Sequence, residues 1–172
     1  MVRNCGFETG NFTDWTRGGN LAETYVWTDS NSGWYCAWLG PSGSDGTLSQ
    51  KLATVPGEKY ILSFYLYGGG GTPNSFTASL GGKTLYDMTD LPDSGGYSLF
   101  TFTGLTPGPD ALLEFAFQGT PECHGYGDLR LDDVSLTETG AVAVTPEPSS
   151  IALVGLGLLL VAGIRRRVGS TA

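Results

Sequence analysis

Catalytic motifs are scarce in this 172-residue chain, although Asp and Glu are abundant at 17 residues. The single histidine, His124, directly follows Cys123. Adjacent residues on an extended backbone point to opposite sides, so these two do not form a nucleophile and its base. No nucleophile-elbow, zinc-protease, phosphate-loop or dinucleotide-binding motif occurs. The residues favour a protein that is not an enzyme, and carboxylate-based glycoside hydrolysis stays open because the separation of two carboxylates cannot be seen in a sequence.

Aromatic side chains form a second group of chemical interest, because flat rings stack on the apolar faces of sugars. The candidates are Trp15, Trp27, Trp34, Trp38, Tyr35, Tyr65, Tyr67, Tyr97 and Tyr126. Alternation along residues 59–67 places Tyr65 and Tyr67 on the outer face of a strand. We expect these two to contact a ligand, with polar partners from Asn74, Gln118 or Asp128. We expect packing roles for Trp15, Trp34 and Trp38.

Nine candidate strands recur at short intervals and are separated by turns rich in Gly and Pro. They cover residues 21–27, 34–39, 47–53, 59–67, 75–80, 83–87, 97–103, 111–117 and 129–137. Apolar residues alternate along two of them, at Tyr60, Leu62, Phe64 and Leu66 and at Leu113, Phe115 and Phe117. No helical stripe occurs before the C-terminal tail. Residues 1–138 are therefore predicted to form an all-β domain, an antiparallel β-sandwich of two packed sheets.

The charge and the cysteines narrow the choice of partner and compartment. The formal net charge is −8, and residues 1–146 contain 6 Lys and Arg against 16 Asp and Glu. Such an acidic domain repels nucleic acid. Cys5, Cys36 and Cys123 cannot all pair within one chain, and three pairings are open. In an oxidising compartment we favour Cys36 with Cys123, and three unpaired thiols are the alternative.

Three segments of the domain resemble the galactose-binding-like jelly rolls, which include many carbohydrate-binding modules. They are residues 4–10 (NCGFETG) followed by Trp15, residues 54–57 (TVPG) leading into the strand at 59–67, and residues 131–136 (LDDVSL). Cys5 stands where the family pattern has a glycine. The resemblance implies a jelly roll in which the first and last strands lie together at one edge.

The same resemblance implies a structural Ca²⁺ ion, because related modules hold one where those two strands meet. Glu8, at the end of the first strand, and Asp132, on the last, would supply carboxylates, with Asp45 as an additional ligand. Ca²⁺ takes roughly six to eight oxygen ligands, so backbone carbonyls and water would complete the site. Asp132 lies two and four positions before the apolar residues Val134 and Leu136, so alternation places all three on one face of the strand. We therefore expect Asp132 to point inward. Alternatively, Glu8 and Asp132 cap strand ends or pair with arginines.

The C-terminal tail has three parts. A linker over residues 139–148 contains two prolines that keep the backbone extended. Residues 151–164 (IALVGLGLLLVAGI) include no polar side chain, and a basic cluster follows at once. Residues 149–172 are therefore predicted to be a short C-terminal transmembrane helix with its basic end in the cytoplasm. The linker motif is Pro146, Glu147 and Pro148, and the basic cluster is Arg165, Arg166 and Arg167.

This order of motif, apolar run and basic cluster resembles the PEP-CTERM sorting signal of Gram-negative bacteria. The resemblance implies export, transient anchoring in the inner membrane and processing near the motif by an exosortase-type transpeptidase. Delivery to the cell surface or the extracellular matrix, often alongside exopolysaccharide, would follow. An unprocessed single-pass anchor is the alternative. Residues 1–5 show no signal peptide, so we expect the natural start to lie upstream.

The sequence thus predicts an exported, non-enzymatic domain that contacts polysaccharide through a sheet face or its loops. Two other functions stay open. One is a structural or adhesive matrix protein without a defined ligand, and the other is a glycan-active hydrolase. Exposed aromatic side chains gathered on one patch would favour binding, whereas scattered ones would favour a structural role.

Overall fold

The structure is a computed structural model that describes residues 1–120 and 129–140. These residues form ten β-strands and contain no helix. The Pro-Glu-Pro motif and the predicted C-terminal helix lie outside the described residues. The strands are β1 Thr16–Gly19, β2 Thr24–Trp27, β3 Cys36–Leu39, β4 Gly46–Lys51, β5 Lys59–Gly68, β6 Ser75–Leu80, β7 Lys83–Thr89, β8 Ser98–Leu105, β9 Leu112–Gln118 and β10 Leu129–Thr139.

The strands pair antiparallel in two sheets of five. The first sheet has the order β1-β4-β9-β6-β7, and the second has the order β2-β3-β10-β5-β8. This confirms the predicted all-β antiparallel sandwich. Alternate residues of the long strands are buried, as in β5, because one face of each sheet packs against the other sheet while the opposite face meets solvent.

The core lies between the sheets and is rich in phenylalanine. The side chains predicted to be buried in β5 and β9 are buried, which confirms the alternation seen in the sequence. Phe64 of β5 lies 5.9 Å from Phe76 of β6 and 5.3 Å from Phe115 of β9, measured between ring centroids. Burying one such side chain contributes about 1.5–3 kcal/mol. These rings join the two sheets across the middle of the sandwich.

The chain divides into two compact units, Met1–Gly140 and Ala141–Ala172. The first unit contains both sheets and the whole core cluster of the described residues. It therefore has what an independently folding domain needs. No helix long and apolar enough to cross a membrane is found in residues 1–120 and 129–140.

Two features differ from the expected jelly-roll layout. Residues around Glu8 form turns and no strand, because Asn4, Phe7 and Gly10 have positive φ angles of 45°, 58° and 71°. The last strand, β10, lies in the middle of the second sheet, between β3 and β5, and not at an edge. The expectation that the first and last strands meet at an edge is therefore wrong for this chain.

Strand β1 was missed in the sequence because its second half, Gly18 and Gly19, resembles a turn. The structure shows why glycine is found there. A Cβ at Gly18 would lie 2.8 Å from Thr47 Oγ1 of β4, and Gly19 has a positive φ of 67°. The pair of glycines permits a close approach of β1 to β4.

Candidate functional site

A bulge in β10 decides where Asp132 points. The preceding residue, Leu131, faces the core, and Asp132 pairs with Tyr65 on the outer face of the second sheet. The register then shifts before Ser135, where Asp133 adopts a φ of 48°. An extra residue in one strand reverses the parity of the residues beyond it. The expectation that Asp132 points inward with the later apolar residues is therefore wrong.

The β2–β3 loop, residues 28–35, covers Asp132 completely. Asp132 Oδ2 accepts hydrogen bonds from the backbone N–H groups of Asn31 (2.8 Å) and Ser32 (3.2 Å), and its Oδ1 accepts one from Asp133 N (2.8 Å). The Asp133 carboxylate accepts from Asn31 Nδ2 and Ser32 Oγ, at 2.9 and 2.8 Å. Burial raises the pKa of Asp132 to about 6, although the backbone N–H bonds act to lower it.

Glu8 holds the other end of the β2–β3 loop. Its carboxylate accepts hydrogen bonds from Trp34 N at 3.1 Å and from Tyr35 N at 3.0 Å. Gly33, with a φ of 67°, makes room for this contact, because a Cβ at that position would collide with the Glu8 carboxylate. Acidic side chains from two distant parts of the sequence therefore fix the loop at its middle and at its C-terminal end.

Glu8 and Asp132 come together beside Gly6, where a Cβ would lie 3.7 Å from Glu8 Cγ and 3.6 Å from Asp132 Oδ1. Asp45 does not complete a metal site with them, because the described residues contain no group of three or more His, Cys, Asp or Glu able to hold a metal ion. The carbonyl of Asp45 accepts a hydrogen bond from Asn20 N. The carboxylate oxygens of Glu8 and Asp132 are ligands of the type that Ca²⁺ takes, and here they accept hydrogen bonds from backbone N–H donors. Both carboxylates therefore anchor the β2–β3 loop, and Ca²⁺ binding at them stays a prediction.

An aromatic row, consisting of Tyr25, Trp38, Arg130 and Tyr67, crosses the outer face of the second sheet. The strand register places each member directly beside the next. The Arg130 guanidinium lies 4.3 Å from the ring centroid of Trp38 and 4.3 Å from that of Tyr67, and it also pairs with Asp29. Each cation–π contact of this kind contributes about 0.5–2 kcal/mol. The row is therefore a rigid part of the face.

The rings of the aromatic row cover one another. Tyr25 and Trp38 stack with their planes 10° apart and their centroids 5.9 Å apart. Arg130 fills the space between Trp38 and Tyr67. A sugar stacks on an uncovered ring face, and these faces already have neighbours. The row supports a binding surface and does not itself supply a flat platform.

Two tryptophans of the β2–β3 hairpin do expose ring surface. Trp27, the last residue of β2, is 57% exposed and meets Tyr25 edge-on, at 85° and 6.1 Å. Trp34 is 77% exposed and lies in the β2–β3 loop, where Glu8 holds its backbone N–H. The expectation that Trp34 is a packing residue is wrong, whereas Trp15 is buried in the core as expected.

The predicted ligand contacts are divided between the two sheets. Tyr65 and Tyr67 are half-buried on the outer face of the second sheet, as predicted, whereas Gln118 ends β9 in the first sheet. Asn74 is 3% exposed, and its amide bonds the backbone N–H and C=O of Leu91. Asn74 therefore holds a turn in place, and the prediction that these residues act together is wrong.

Cys36 lies beneath the β2–β3 loop with a free thiol. Its Sγ and the Tyr97 hydroxyl both donate to the carbonyl of Asp29, at 3.6 and 2.9 Å. Burial raises the pKa of the Cys36 thiol and of the Tyr97 hydroxyl. The free thiol disagrees with the favoured pairing to Cys123. Residues 121–128, with Cys123, His124, Tyr126 and Asp128, lie outside the described residues.

The tail matches a known family of sorting signals. Residues 144–167 match the model of the PEP-CTERM protein-sorting motif. The chain carries a PEP-CTERM sorting motif. The match spans the Pro-Glu-Pro motif, the apolar run and the arginine cluster, which confirms the resemblance seen in the sequence. Comparison with curated proteins gave no match.

Solved structures similar to this chain include carbohydrate-binding modules. The module TmCBM61, in complex with β-1,4-galactotriose, is 19% identical with a TM-score of 0.64, over 80% of this chain and 97% of that one. The CBM22-1 xylan-binding domain of Paenibacillus barcinonensis Xyn10C is 18% identical with a TM-score of 0.53, over 80% and 93%. A cyclase from Fischerella sp. TAU is 17% identical with a TM-score of 0.57, over 82% and 97%. The fold is thus a jelly roll like that of carbohydrate-binding modules, and it serves more than one activity.

Proposed function

We propose that this chain is a non-catalytic polysaccharide-binding module that its sorting motif directs to the bacterial surface or extracellular matrix. The proposal of polysaccharide binding rests on the exposure of two side chains, Trp27 and Trp34, at the β2–β3 turn of the second sheet. Glu8 and Asp132 hold the backbone of the loop that carries Trp34, so the place of this residue in the loop is set before a ligand arrives. Such preorganisation reduces the entropy lost on binding.

The charges around the aromatic face favour a neutral glycan. Arg130 is the cation of the aromatic row, and its charge is matched by Asp29. The described residues as a whole are acidic, which repels uronic acids and sulfated sugars at long range. Pyranose rings would stack on Trp27 and Trp34, and their hydroxyl groups would meet the polar edges of Tyr65 and Tyr67.

Affinity electrophoresis of the Met1–Gly140 unit through gels containing neutral or acidic polysaccharides tests this proposal. We expect retardation by at least one neutral polysaccharide. Trp27→Ala and Trp34→Ala should each weaken binding by about tenfold or more, as expected for central aromatic contacts. Leu112→Ala is the matched control, because Leu112 is also a large exposed side chain, 44% exposed, but on the first sheet.

Two outcomes would overturn the binding proposal. If no polysaccharide changes the mobility of the protein in the gel, binding is contradicted and a structural or adhesive role in the matrix is favoured. If Leu112→Ala weakens binding as much as the tryptophan variants do, the binding site is not at Trp27 and Trp34. Release of sugar from a retained polysaccharide would instead indicate a hydrolase, although the carboxylates of Glu8, Asp132 and Asp133 already bind N–H or O–H donors in the β2–β3 loop.

We also propose processing by an exosortase-type transpeptidase near residues 146–148, after transient anchoring of the apolar run in the inner membrane. The support is the family match over residues 144–167, together with the exposed backbone expected around two prolines. The arginine cluster behind the apolar run would stay in the cytoplasm. The module would then lie outside the cytoplasm, on the side of the membrane where surface and matrix polysaccharides are found.

Calcium at Glu8 and Asp132 is a separate proposal with its own test. If Ca²⁺ binds only the folded state, it raises the Tm by mass action. The Tm of the Met1–Gly140 unit should then be higher in CaCl₂ than in EDTA, and Asp132→Asn should abolish the difference. Equal Tm values in the two buffers would contradict calcium binding. Anchoring of the β2–β3 loop would then be the role of Glu8 and Asp132.

A further inference from the structure

The four edge strands of the sandwich differ in how they are protected against pairing with another chain. The edges are β1 and β7 in the first sheet and β2 and β8 in the second. Proteins commonly protect such edges with short strands, charged residues, prolines or bulges. β1 and β2 have four residues each, and β7 carries Lys83 and Asp87.

Strand β8 has fewer of these protections. It is eight residues long, its sequence is SLFTFTGL, and it contains no charged residue and no proline. Its one protection is a bulge at its C-terminal end, where the register with β5 shifts between Phe102 and Leu105 and Gly104 has a φ of 65°. Within the described part of the chain it pairs only with β5, so every second backbone N–H and C=O points away from the sheet. Leu99 on its outer face is 55% exposed, and Thr101 and Thr103 on the same face are also exposed.

The inner face of β8 is packed and regular. Phe100 and Phe102 lie 5.5 and 6.0 Å from the ring of Phe64 in the core. These contacts keep β8 extended and in register with β5 from Ser98 to Phe102. The edge of β8 is therefore a regular, extended strand from Ser98 to Phe102.

An apolar opening lies beside β8, between the edges of the two sheets. It has a volume of about 220 Å³, and its wall includes Leu66, Tyr86, Met88, Leu91 and Phe100. Met88 is 44% exposed there. Pairing along β8 would cover part of this opening and remove apolar surface from water.

We propose that β8 pairs antiparallel with β8 of a second copy of this chain, around a twofold axis at Thr101. The sequence is self-complementary about this point, because Phe100 meets Phe102 of the other copy and the two Thr101 residues face each other. These pairs lie in the regular part of β8, before the bulge, and no charged side chains are opposed in them. Aromatic and threonine cross-strand pairs favour antiparallel sheets. The second sheets of the two copies join into one sheet of ten strands, which is a closed, isologous dimer.

Sedimentation velocity of the Met1–Gly140 unit over a range of concentrations tests this dimer. We expect a reversible monomer–dimer equilibrium. Thr101→Lys should shift it fully to monomer, because two ammonium groups would meet at the axis. Thr16→Lys, the same change at an exposed position on the β1 edge, should leave the equilibrium unchanged. Near-UV circular dichroism identical to that of the original sequence shows that both variants are folded.

Disulfide trapping tests the same contact in the full chain in membranes. Directly opposed antiparallel residues have Cα atoms about 4.5–5.5 Å apart, which suits a disulfide. In a background with Cys5→Ser and Cys123→Ser, which leaves only the buried native thiol of Cys36, Thr101→Cys should give a covalent dimer on mild oxidation with copper–phenanthroline in air. Thr16→Cys in the same background should not.

Three results would overturn the proposal. They are a monomer at every concentration, an assembly that persists unchanged in Thr101→Lys, and equal crosslinking of the Thr101→Cys and Thr16→Cys chains. None of them bears on polysaccharide binding, which is measured with Trp27 and Trp34 and does not involve β8.

Discussion

At Asp132, burial and hydrogen bonding act in opposite directions on one carboxyl group. Three backbone N–H groups stabilise its charged form, while the β2–β3 loop and the sheet exclude water from it. Burial is the larger effect, and the pKa rises to about 6. The group is retained because the N–H donors of the loop need an acceptor, and leaving them without one would cost about 1–3 kcal/mol each.

The raised pKa gives a definite sign to the pH dependence of stability. A pKa near 6 in the folded state, against an ordinary value of 3.8, means that the folded protein binds the proton more tightly. This group therefore adds to the free energy of unfolding as the pH falls below 6, and the contribution is lost as the pH rises through 6. It is at most about 3 kcal/mol, at ~1.4 kcal/mol per pKa unit.

Urea unfolding of the original sequence and of Asp132→Asn in EDTA, between pH 4.5 and pH 7.5, measures this contribution. The difference in unfolding free energy between the two proteins should change with pH in the stated direction. A difference that stays constant across this range would show that Asp132 does not titrate there.

At the scale of the elements, most strands were predictable because their apolar residues alternate with a period of two. β5 and β9 are the clearest cases. β1 could not be found this way, because TRGG contains no apolar residue. The bulge in β10 did leave a signal: Leu129 and Leu131 are two apart, but Val134 follows after three. That change of spacing marks the point where parity reverses, and it would have placed Asp132 on the outer face.

The binding face was only partly predictable. Tyr65 and Tyr67 followed from alternation, and the position of Trp34 directly after the Asn31-Ser32-Gly33 turn was an unused sign of exposure. The anchoring of the β2–β3 loop was not visible, because it joins residues about a hundred positions apart in the chain. The role of Asn74 was also not visible in the sequence, because its partner Leu91 lies 17 positions away in another loop.

At the scale of the whole molecule, the chain joins a compact sandwich to a sorting motif. The proposed processing predicts the mass of the exported protein. In a Gram-negative host that contains an exosortase, intact-mass measurement of surface or extracellular material should show a chain that ends near residues 146–148. A variant with Pro146→Ala and Pro148→Ala should accumulate in the membrane fraction at full mass.

Pro56→Ala, in the turn before β5, provides the control, because it changes a proline outside the matched motif. It should be processed like the original chain. Full-length protein in the extracellular material, with its apolar run intact, would contradict processing and favour a permanent anchor.

The place of β10 affects how the molecule responds to mechanical load. β10 is the strand nearest in sequence to the tether, and it is hydrogen-bonded to β3 on one side and to β5 on the other, with β5 pairing as far as Thr139. A force applied at Thr139 therefore loads the hydrogen bonds to β5 first, because the pairing of β10 with β3 is confined to Leu129–Leu131. At the proposed cell surface, a load on the C-terminal end of the module would reach the β10–β5 pair before the short contact between β10 and β3.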